Sequence, residues 1–181
     1  MEHRETKLES QMIYEGKILR LRKDTVRLEN GHTAVREVVE HSGGVSIVAV
    51  DENDCLYMVR QYRYPSDSVL LELPAGKLEP GEDPEACGRR ELGEECGCHA
   101  ARFCLLGRLI PTCAYDTEVI YIFYAAGLSM SSQHLDPDEF LTVEKIPFPQ
   151  AVEMVLNGEI TDAKTQIGIL KYKTLRDMGR I

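Results

Sequence analysis

Residues 76–97 read GKLEPGEDPEACGRRELGEECG, the part of the chain with the strongest structural signal. Asp83-Pro84 supplies a helix N-cap followed by a first-turn proline. We predict a loop and then a helix over residues 85–96. Gly97 ends it, because glycine readily takes the left-handed conformation of helix C-termini. Gly88 in mid-helix costs about 1 kcal/mol relative to alanine, so it indicates either close packing against a strand or simple tolerance.

Three carboxylates share one face of this predicted helix. Glu91, Glu94 and Glu95 stand at i, i+3 and i+4, a spacing at which like charges are destabilising. A divalent cation would relieve the repulsion, and Mg²⁺ prefers oxygen ligands and shares its coordination sphere with substrate phosphates. We therefore predict these three residues as ligands of Mg²⁺, with Mn²⁺ as the alternative ion. The fork of Arg90 can pair with Glu82 or Glu94 and fix their orientation. The competing interpretation is a solvated acidic helix face.

The spacing of glycines and charges over residues 76–97 resembles the Nudix box of nucleoside-diphosphate-linked hydrolases. Every charged and glycine position matches, and Cys98 departs from the bulky aliphatic residue usual there. Further stretches are similar to the ADP-ribose pyrophosphatase branch of that family, namely QYRYP at 61–65, LELPAGKLE at 71–79 and DAKT at 162–165. The resemblance covers about residues 12–176.

The resemblance implies an α/β fold, a Nudix-type α/β/α sandwich with a mixed sheet, preceded by a small N-terminal antiparallel β-sheet domain. We expect the N-terminal region over residues 1–42 and the hydrolase domain over residues 43–181. In this branch the small domain swaps across a homodimer. The implied reaction is Mg²⁺-dependent hydrolysis of ADP-ribose to AMP and ribose 5-phosphate. The alternatives are another nucleotide sugar or dinucleotide as substrate, and a non-catalytic module that binds ADP-ribose.

The same resemblance implies site residues, position by position, except for Tyr115, which is chosen because its ring could stack on a base. The backbone carbonyl of Ala75 joins the glutamates as a metal ligand. The predicted catalytic residues are Glu82, Arg90, Glu94 and Glu139. The predicted substrate-binding residues are Arg36, Arg63, Tyr115 and Glu118. Arg63 would clamp phosphate, and Arg36 would reach the nucleotide of the neighbouring subunit.

Two positions leave alternatives open. The general base lies on the loop over residues 135–140, where Glu139 is the best match and Asp138 is adjacent. Cys113 occupies a position at which ADP-ribose hydrolases commonly have a proline. The substrate is therefore less firmly predicted than the reaction type.

Composition sets broader bounds. With 181 residues, 43% of them hydrophobic, the chain can bury one core and carry an appendage. The net charge of −9 disfavours a nucleic-acid partner. No apolar run approaches the roughly 20 residues of a membrane span, and the start lacks a signal-peptide pattern, so we expect a cytoplasmic protein. The six cysteines form no C-x-x-C pair and are predicted to be reduced thiols.

Hydrophobic alternation predicts the remaining elements. Asn30-Gly31 is a hairpin signal within a small antiparallel sheet over residues 12–40, which has too little apolar surface to stand alone. Docking on a partner subunit would supply the missing layer. The predicted core strands are residues 45–50, 55–60, 103–110, 118–126 and 140–143. Helices are predicted over residues 150–156 and 161–176, the last with Ile167, Leu170 and Leu175 facing the core.

Overall fold

The computed structural model describes residues 3–137 and 139–181, in two units. The first unit combines the N-terminal segment through Gly43 with Ile110–Val119, and the second combines Gly44–Leu109 with Ile120–Ile181. The domain division at residues 42 and 43 stays a prediction. Among the residues described, no helix is long and apolar enough to cross a membrane.

The first unit contains the small antiparallel sheet expected from the sequence. Its strands are β1 (Thr6–Glu15), β2 (Arg20–Arg27) and β3 (Thr33–Glu40), paired in the order β1-β2-β3. The sheet begins at Thr6, earlier than the predicted Met12. Every residue of β1 is exposed, so this strand lacks the half-buried alternation by which strands are recognised in sequence.

The connection between β2 and β3 is longer than a two-residue hairpin turn. The last pair in register is Arg27 with Thr33, and the N–H of Leu28 donates to the carbonyl oxygen of His32 at 2.8 Å. Gly31 has φ of 85°, a left-handed conformation that favours glycine. The predicted turn is therefore present, but within a wider loop.

The second unit contains two sheets. The mixed sheet is ordered β7-β4-β9-β8, with β4 parallel to β9 and the other pairs antiparallel. Its strands are β4 (Gly44–Ala49), β7 (Ala75–Lys77), β8 (Cys98–Leu109) and β9 (Ile120–Met130). The second sheet is antiparallel and ordered β10-β5-β6. Its strands are β5 (Cys55–Arg63), β6 (Ser68–Glu72) and β10 (Leu141–Pro147), with a 3-10 turn at Tyr64–Ser66.

Helices cover both faces of this strand layer. They are α1 (Pro84–Cys96), α2 (Phe148–Leu156) and α3 (Ala163–Asp177). Alternate residues of β4 enter different cores: Ile47 packs in the cluster that includes Leu92 of α1, and Val48 in the cluster that includes Val152 of α2 and Ile169 of α3. Strands buried on both faces are what an α/β/α sandwich requires. The predicted fold class is confirmed.

Helix α1 has the predicted ends. The carboxylate of Asp83 accepts hydrogen bonds from the backbone N–H groups of Glu85 and Ala86, and Gly97 closes the helix with φ of 59°. A Cβ built on Gly88 would lie 2.9 Å from Cζ of Phe103. Close packing, rather than tolerance, therefore explains the mid-helix glycine.

Helix α3 presents a different face to the core than predicted. Its buried residues are Thr165, Gly168, Ile169 and Tyr172, whereas Ile167 is 39% exposed. The prediction that Ile167 faces the core was wrong, because small residues form part of the buried face. A Cβ on Gly168 would lie 2.6 Å from Cδ1 of Leu73, so the helix approaches the strands closely there. Asp162 caps α3 as expected, accepting from the N–H of Thr165.

Candidate active site

The second unit gathers the predicted acidic residues around α1. Glu91 and Glu95 are buried, and Glu82 and Glu94 are half-buried. Helical periodicity places Glu91, Glu94 and Glu95 on one face of α1, as the sequence predicted.

Arg90 lies among these carboxylates. Its Nε and Nη2 contact the two oxygens of Glu82 at 3.0 and 3.1 Å. Its Nη1 lies 2.8 Å from Glu91 Oε1 and 2.8 Å from Glu94 Oε2. Hydrogen bonding to Arg90 lowers the pKa of Glu82 to about 2, and the same contacts raise the pKa of Arg90. Arg90 therefore orients three carboxylates at once, where the sequence suggested one or two.

Glu91 and Glu95 are electrostatically costly in this arrangement. Burial raises the pKa of Glu91 to about 7; Arg90 opposes the shift, and the charges of Glu94 and Glu139 add to it. Burial also raises the pKa of Glu95 well above its ordinary value, and the charges of Glu139 and Glu91 add to that shift. Both side chains would be ionised more easily beside an added cation.

The strand β7 shapes the space above these two carboxylates. The backbone N–H of Ala75 donates to Glu95 Oε2 at 2.9 Å. A Cβ built on Gly76 would lie 1.9 Å from both Cδ and Oε1 of Glu91. Only glycine at position 76 leaves room for the Glu91 carboxylate in this position. Ala75, whose carbonyl the family resemblance implies as a metal ligand, therefore adjoins Glu95 through its N–H.

Glu139 reaches the same region from the loop before β10. Its carboxylate is half-buried, and Gln61 Nε2 lies 3.4 Å from its Oε1. Burial and the nearby charge of Asp136 raise its pKa. Since Glu139 in turn raises the pKa of Glu91 and Glu95, it lies within electrostatic range of both. Asp138, the other candidate for the base, falls outside the described residues.

Arg63 ends β5 in an ion pair that the sequence did not reveal. Its Nε and Nη2 contact Oε1 and Oε2 of Glu72 at 2.6 and 2.8 Å. Lys164 binds the same carboxylate. A signal was present in the sequence, because Glu72 interrupts the apolar run at residues 70–73 and a charge in a buried strand needs partners.

Three predicted substrate-binding residues belong to the first unit. The guanidinium of Arg36 pairs with the carboxylate of Glu5. Glu118 Oε1 lies 3.3 Å from His41 Nδ1. Tyr115 is 55% exposed. Within that unit the ring of Tyr115 is exposed, whereas Glu118 is half-buried beside His41 and Arg36 pairs with Glu5.

The oxygen atoms around α1 are chemically suited to bind a divalent metal ion. They are carboxylate oxygens and a strand carbonyl, which suit Mg²⁺ or Mn²⁺ better than the soft metals that thiolates bind. Over the described part of the chain, no group of three or more His, Cys, Asp or Glu side chains already has the arrangement of a metal site. In this arrangement Glu82, Glu91 and Glu94 contact the guanidinium nitrogens of Arg90.

Comparison with known families identifies the class of this protein. Residues 40–165 match the NUDIX domain family. Residues 5–39 match the family described as nucleoside diphosphate sugar hydrolase N-terminal domain. The chain belongs to the Nudix family, and it is a pyrophosphohydrolase of that family, as the sequence predicted. Nudix hydrolases generally need divalent metal ions.

Individual relatives span nearly the whole chain. A methanol dehydrogenase activator from Bacillus methanolicus is 35% identical over 175 residues, covering 96% of this chain and 94% of the relative. An ADP-ribose pyrophosphatase from Bacillus subtilis (strain 168) has the same identity, length and coverage. The crystal structure of an ADP compounds hydrolase covers 98% of this chain and 97% of its own, with a TM-score of 0.85 and 23% identity. At that identity the likeness establishes the fold.

Proposed function

We propose that this enzyme hydrolyses the pyrophosphate bond of ADP-ribose, giving AMP and ribose 5-phosphate, with Mg²⁺ as its metal and Mn²⁺ as the alternative. The observation that carries the proposal is the pair of buried carboxylates, Glu91 and Glu95, whose pKa values burial raises. Such a pair is stabilised by an added cation. The pyrophosphatase name of one 35% identical relative supports the choice of substrate.

Glu91 and Glu95 would hold the ion, with Glu94 and the carbonyl of Ala75 beside them. A bound divalent ion offsets the negative charge of the phosphate oxygens and lowers the pKa of bound water. Glu82 and Arg90 fix the positions of the carboxylates, since Arg90 contacts Glu82, Glu91 and Glu94. Their part in the reaction is to keep the acidic face in place.

Glu139 is the proposed general base. The attacking water forms a bond to phosphorus, its proton passes to Glu139, and the phosphorus–oxygen bond to the leaving phosphate ester breaks. The raised pKa of Glu139, caused by burial, strengthens it as a proton acceptor. Gln61 orients the carboxylate through its amide N–H.

Arg63 is the proposed phosphate ligand of the second unit. We assign Arg36, Tyr115 and Glu118 of the first unit to recognition of the rest of the substrate, Tyr115 by stacking on the base. An anionic substrate approaches a chain of net charge −9, so local cations must attract it. The same charge disfavours a nucleic-acid partner.

We also infer a homodimer in which the first unit docks on a second copy. Exposed apolar side chains in its sheet support this, namely Leu8, Met12, Ile13, Tyr14 and Val35. Light scattering should give twice the chain mass, and deletion of residues 1–40 should give inactive or aggregated protein. A truncated protein that is monomeric and active would contradict the domain swap.

All six cysteines are free thiols, which fits the reducing cytoplasm that we propose as the location of this protein.

A second substrate class has one observation in its favour. Relatives with the same identity carry different names, and Cys113 stands where ADP-ribose hydrolases commonly have proline. The alternative is hydrolysis of another nucleotide sugar or a dinucleotide by the same chemistry. A non-catalytic binding module is disfavoured, because Glu82, Glu91, Glu94 and Glu95 are all present.

The test is product release from a substrate panel with Mg²⁺, with chelated enzyme as the control. We expect AMP and ribose 5-phosphate from ADP-ribose, in preference to other nucleotide sugars and dinucleotides. Faster cleavage of another member of the panel would change the proposed substrate but would leave the proposed hydrolysis of a pyrophosphate bond in place. Tight binding of ADP-ribose without turnover of any member would make the chain a binding module and would refute the proposed activity.

A further inference from the structure

Glu72 is a fully buried carboxylate that contacts two cations. It ends β6, three residues before Ala75, and is 1% exposed. Burial would raise its pKa, but hydrogen bonds and charges from Arg63 and Lys164 more than offset this, so the pKa lies below its ordinary value. A buried charge with such partners is maintained only when the geometry is good on all sides.

Arg63 is fixed along one edge of its guanidinium. Nε and Nη2 form the bidentate pair with Glu72, at 2.6 and 2.8 Å. Within the described part of the chain, Nη1 makes no hydrogen bond. The Arg63 side chain is 38% exposed. The guanidinium is thus held by one edge, and its remaining nitrogen is free for a ligand.

Lys164 ties this pair to the start of α3. Its Nζ binds Glu72 and lies 3.1 Å from Asp162 Oδ1. Asp162 Oδ2 accepts from the N–H and the hydroxyl of Thr165, at 2.9 and 2.6 Å. The Thr165 hydroxyl oxygen accepts from the N–H of Leu73 at 2.9 Å. Strand β6 and α3 therefore meet through one connected polar network.

The charges of the four side chains Arg63, Lys164, Glu72 and Asp162 sum to zero, but not all of them are equally able to neutralise a neighbour. Asp162 caps α3, where the positive end of the helix dipole and the Thr165 N–H stabilise its carboxylate. Lys164 can therefore compensate Glu72. If Lys164 were absent, Glu72 would neutralise Arg63 alone, and a neutral pair attracts an anion weakly.

We propose that Glu72 and Lys164 are positioning residues for substrate phosphate: Glu72 fixes the guanidinium of Arg63, and Lys164 offsets Glu72 so that Arg63 keeps a net positive charge. This rests on the proposed function of Arg63 as a phosphate ligand. In this proposal Lys164, which lies in the DAKT stretch at residues 162–165, acts through Arg63 and does not itself contact the substrate.

The test compares Lys164→Met with Lys164→Arg and a matched control. Lys145→Met is the control, because Lys145 also pairs with a buried carboxylate, its Nζ lying 3.2 Å from Asp51 Oδ2. Both methionine variants change the net charge equally. Melting temperature, kcat and KM for ADP-ribose are measured with Mg²⁺, and the dissociation constant of ADP-ribose is measured by calorimetry in chelator.

We expect Lys164→Met to raise KM and the dissociation constant about tenfold, the loss of part of one charge-assisted contact, with kcat within about threefold. Lys164→Arg should keep KM and the dissociation constant near their wild-type values, and Lys145→Met should leave these two constants unchanged. Should Lys164→Met prove poorly folded, Glu72→Asp, which keeps the charge but shortens the reach to Arg63, is measured instead and should raise KM likewise.

Two results would overturn the proposal, and they differ from each other. A lowered melting temperature with unchanged KM and dissociation constant would make the network purely structural, while the proposed function stands. A wild-type enzyme that neither cleaves nor binds any panel member would remove the proposed function, and the positioning role with it.

Discussion

Glu72 and Glu95 are equally buried carboxylates in opposite electrostatic surroundings. Each is 1% exposed. Burial acts to raise the pKa of both, but at Glu72 the contacts with Arg63 and Lys164 bring the pKa below its ordinary value. At Glu95 the N–H of Ala75 offsets only part of the shift, and its pKa stays well above that value. The difference lies in the neighbouring charges, because Arg63 and Lys164 contact Glu72, whereas the carboxylates of Glu139 and Glu91 lie near Glu95.

This contrast separates a balanced cluster from one that is short of positive charge. Around α1, Arg90 contacts Glu82, Glu91 and Glu94, and within the described residues no hydrogen bond joins it to Glu95. A buried carboxylate without a cation is unfavourable. The acidic cluster is therefore where we propose that an external divalent ion binds, whereas at Glu72 the chain itself supplies the cations, Arg63 and Lys164.

Removal of Glu95 should have the largest effect on activity. Glu95→Gln should lower kcat for ADP-ribose by about 10³-fold, because a carboxylate that stabilises charge in the reaction is lost. The same change should raise the free energy of unfolding of the chelated protein at pH 7.5, since a costly buried charge disappears. Steady-state kinetics and urea unfolding measure the two effects.

Glu85→Gln is the matched control on the same helix, because Glu85 is exposed and pairs with Arg89. Glu85→Gln should change neither kcat nor the free energy of unfolding appreciably. A Glu95→Gln enzyme with near wild-type kcat would break the contrast between the clusters.

Gly76→Ala should have the next largest effect. The added Cβ would meet Glu91 at 1.9 Å and force its carboxylate away, so we expect kcat/KM to fall about 100-fold. Gly93→Ala is the control, because its Cβ would lie 3.5 Å from the His99 ring, an ordinary contact. Equal activity of the two variants would show that the position of Glu91 is unimportant.

The pH dependence of stability should distinguish the clusters in chelated protein. The pKa of Glu91 is about 7 when folded against an ordinary 4.5. Below pH 4.5 Glu91 is protonated in both states and contributes nothing; as pH rises to 7 the unfolded state ionises first, so stability falls. The difference between Glu91→Gln and wild type in the free energy of unfolding should grow by about 3 kcal/mol over this range, as measured by urea unfolding.

Glu72 should behave in the opposite sense. Its pKa is lowered on folding, so its stabilisation is present above pH 4.5 and is lost as pH falls below that value. Glu72→Gln should therefore be less stable than wild type at pH 7, with a gap that narrows toward pH 3. Parallel pH profiles for the two variants would contradict the contrast.

Two glycines of α1 provide the smallest test. Gly88→Ala should lower the free energy of unfolding by about 1 kcal/mol despite better helix propensity, because its Cβ would clash with Phe103 at 2.9 Å. Gly93→Ala should raise it by about the same amount, through propensity alone. Thermal unfolding of both variants measures this. Stabilisation by both changes would mean that α1 packs more loosely than described.

Local signals predicted α1 well and α3 poorly. The Asp83 cap, the proline after it and the final Gly97 act within a few residues, so α1 could be placed from sequence. The buried face of α3 includes Thr165 and Gly168, which bury little apolar surface and are chosen for close approach to the strands. Periodicity of large apolar residues selected Ile167 instead.

The sequence brings the acidic residues of α1 together, and it also pointed to Arg63, but it did not reveal the contacts of Arg63 and Lys164 with Glu72. Spacing on one helix brings Glu91 and Glu95 together whatever the rest of the chain does. The contacts of Glu72 with Arg63 and Lys164 join residues up to 92 positions apart in the sequence. Such contacts depend on the fold of the whole unit, so local sequence patterns do not reveal them. Gln61 was missed for the same reason, since its partner Glu139 lies 78 positions away.

The proposed metal site on α1 is tested most directly by titrating wild type, Glu95→Gln and Lys164→Met with Mn²⁺, with binding followed by electron paramagnetic resonance. We expect wild type and Lys164→Met to bind Mn²⁺ alike, and Glu95→Gln to bind it at least about tenfold more weakly. Undiminished binding by Glu95→Gln, or no binding by wild type, would contradict the claim that the acidic cluster of α1 is the metal site.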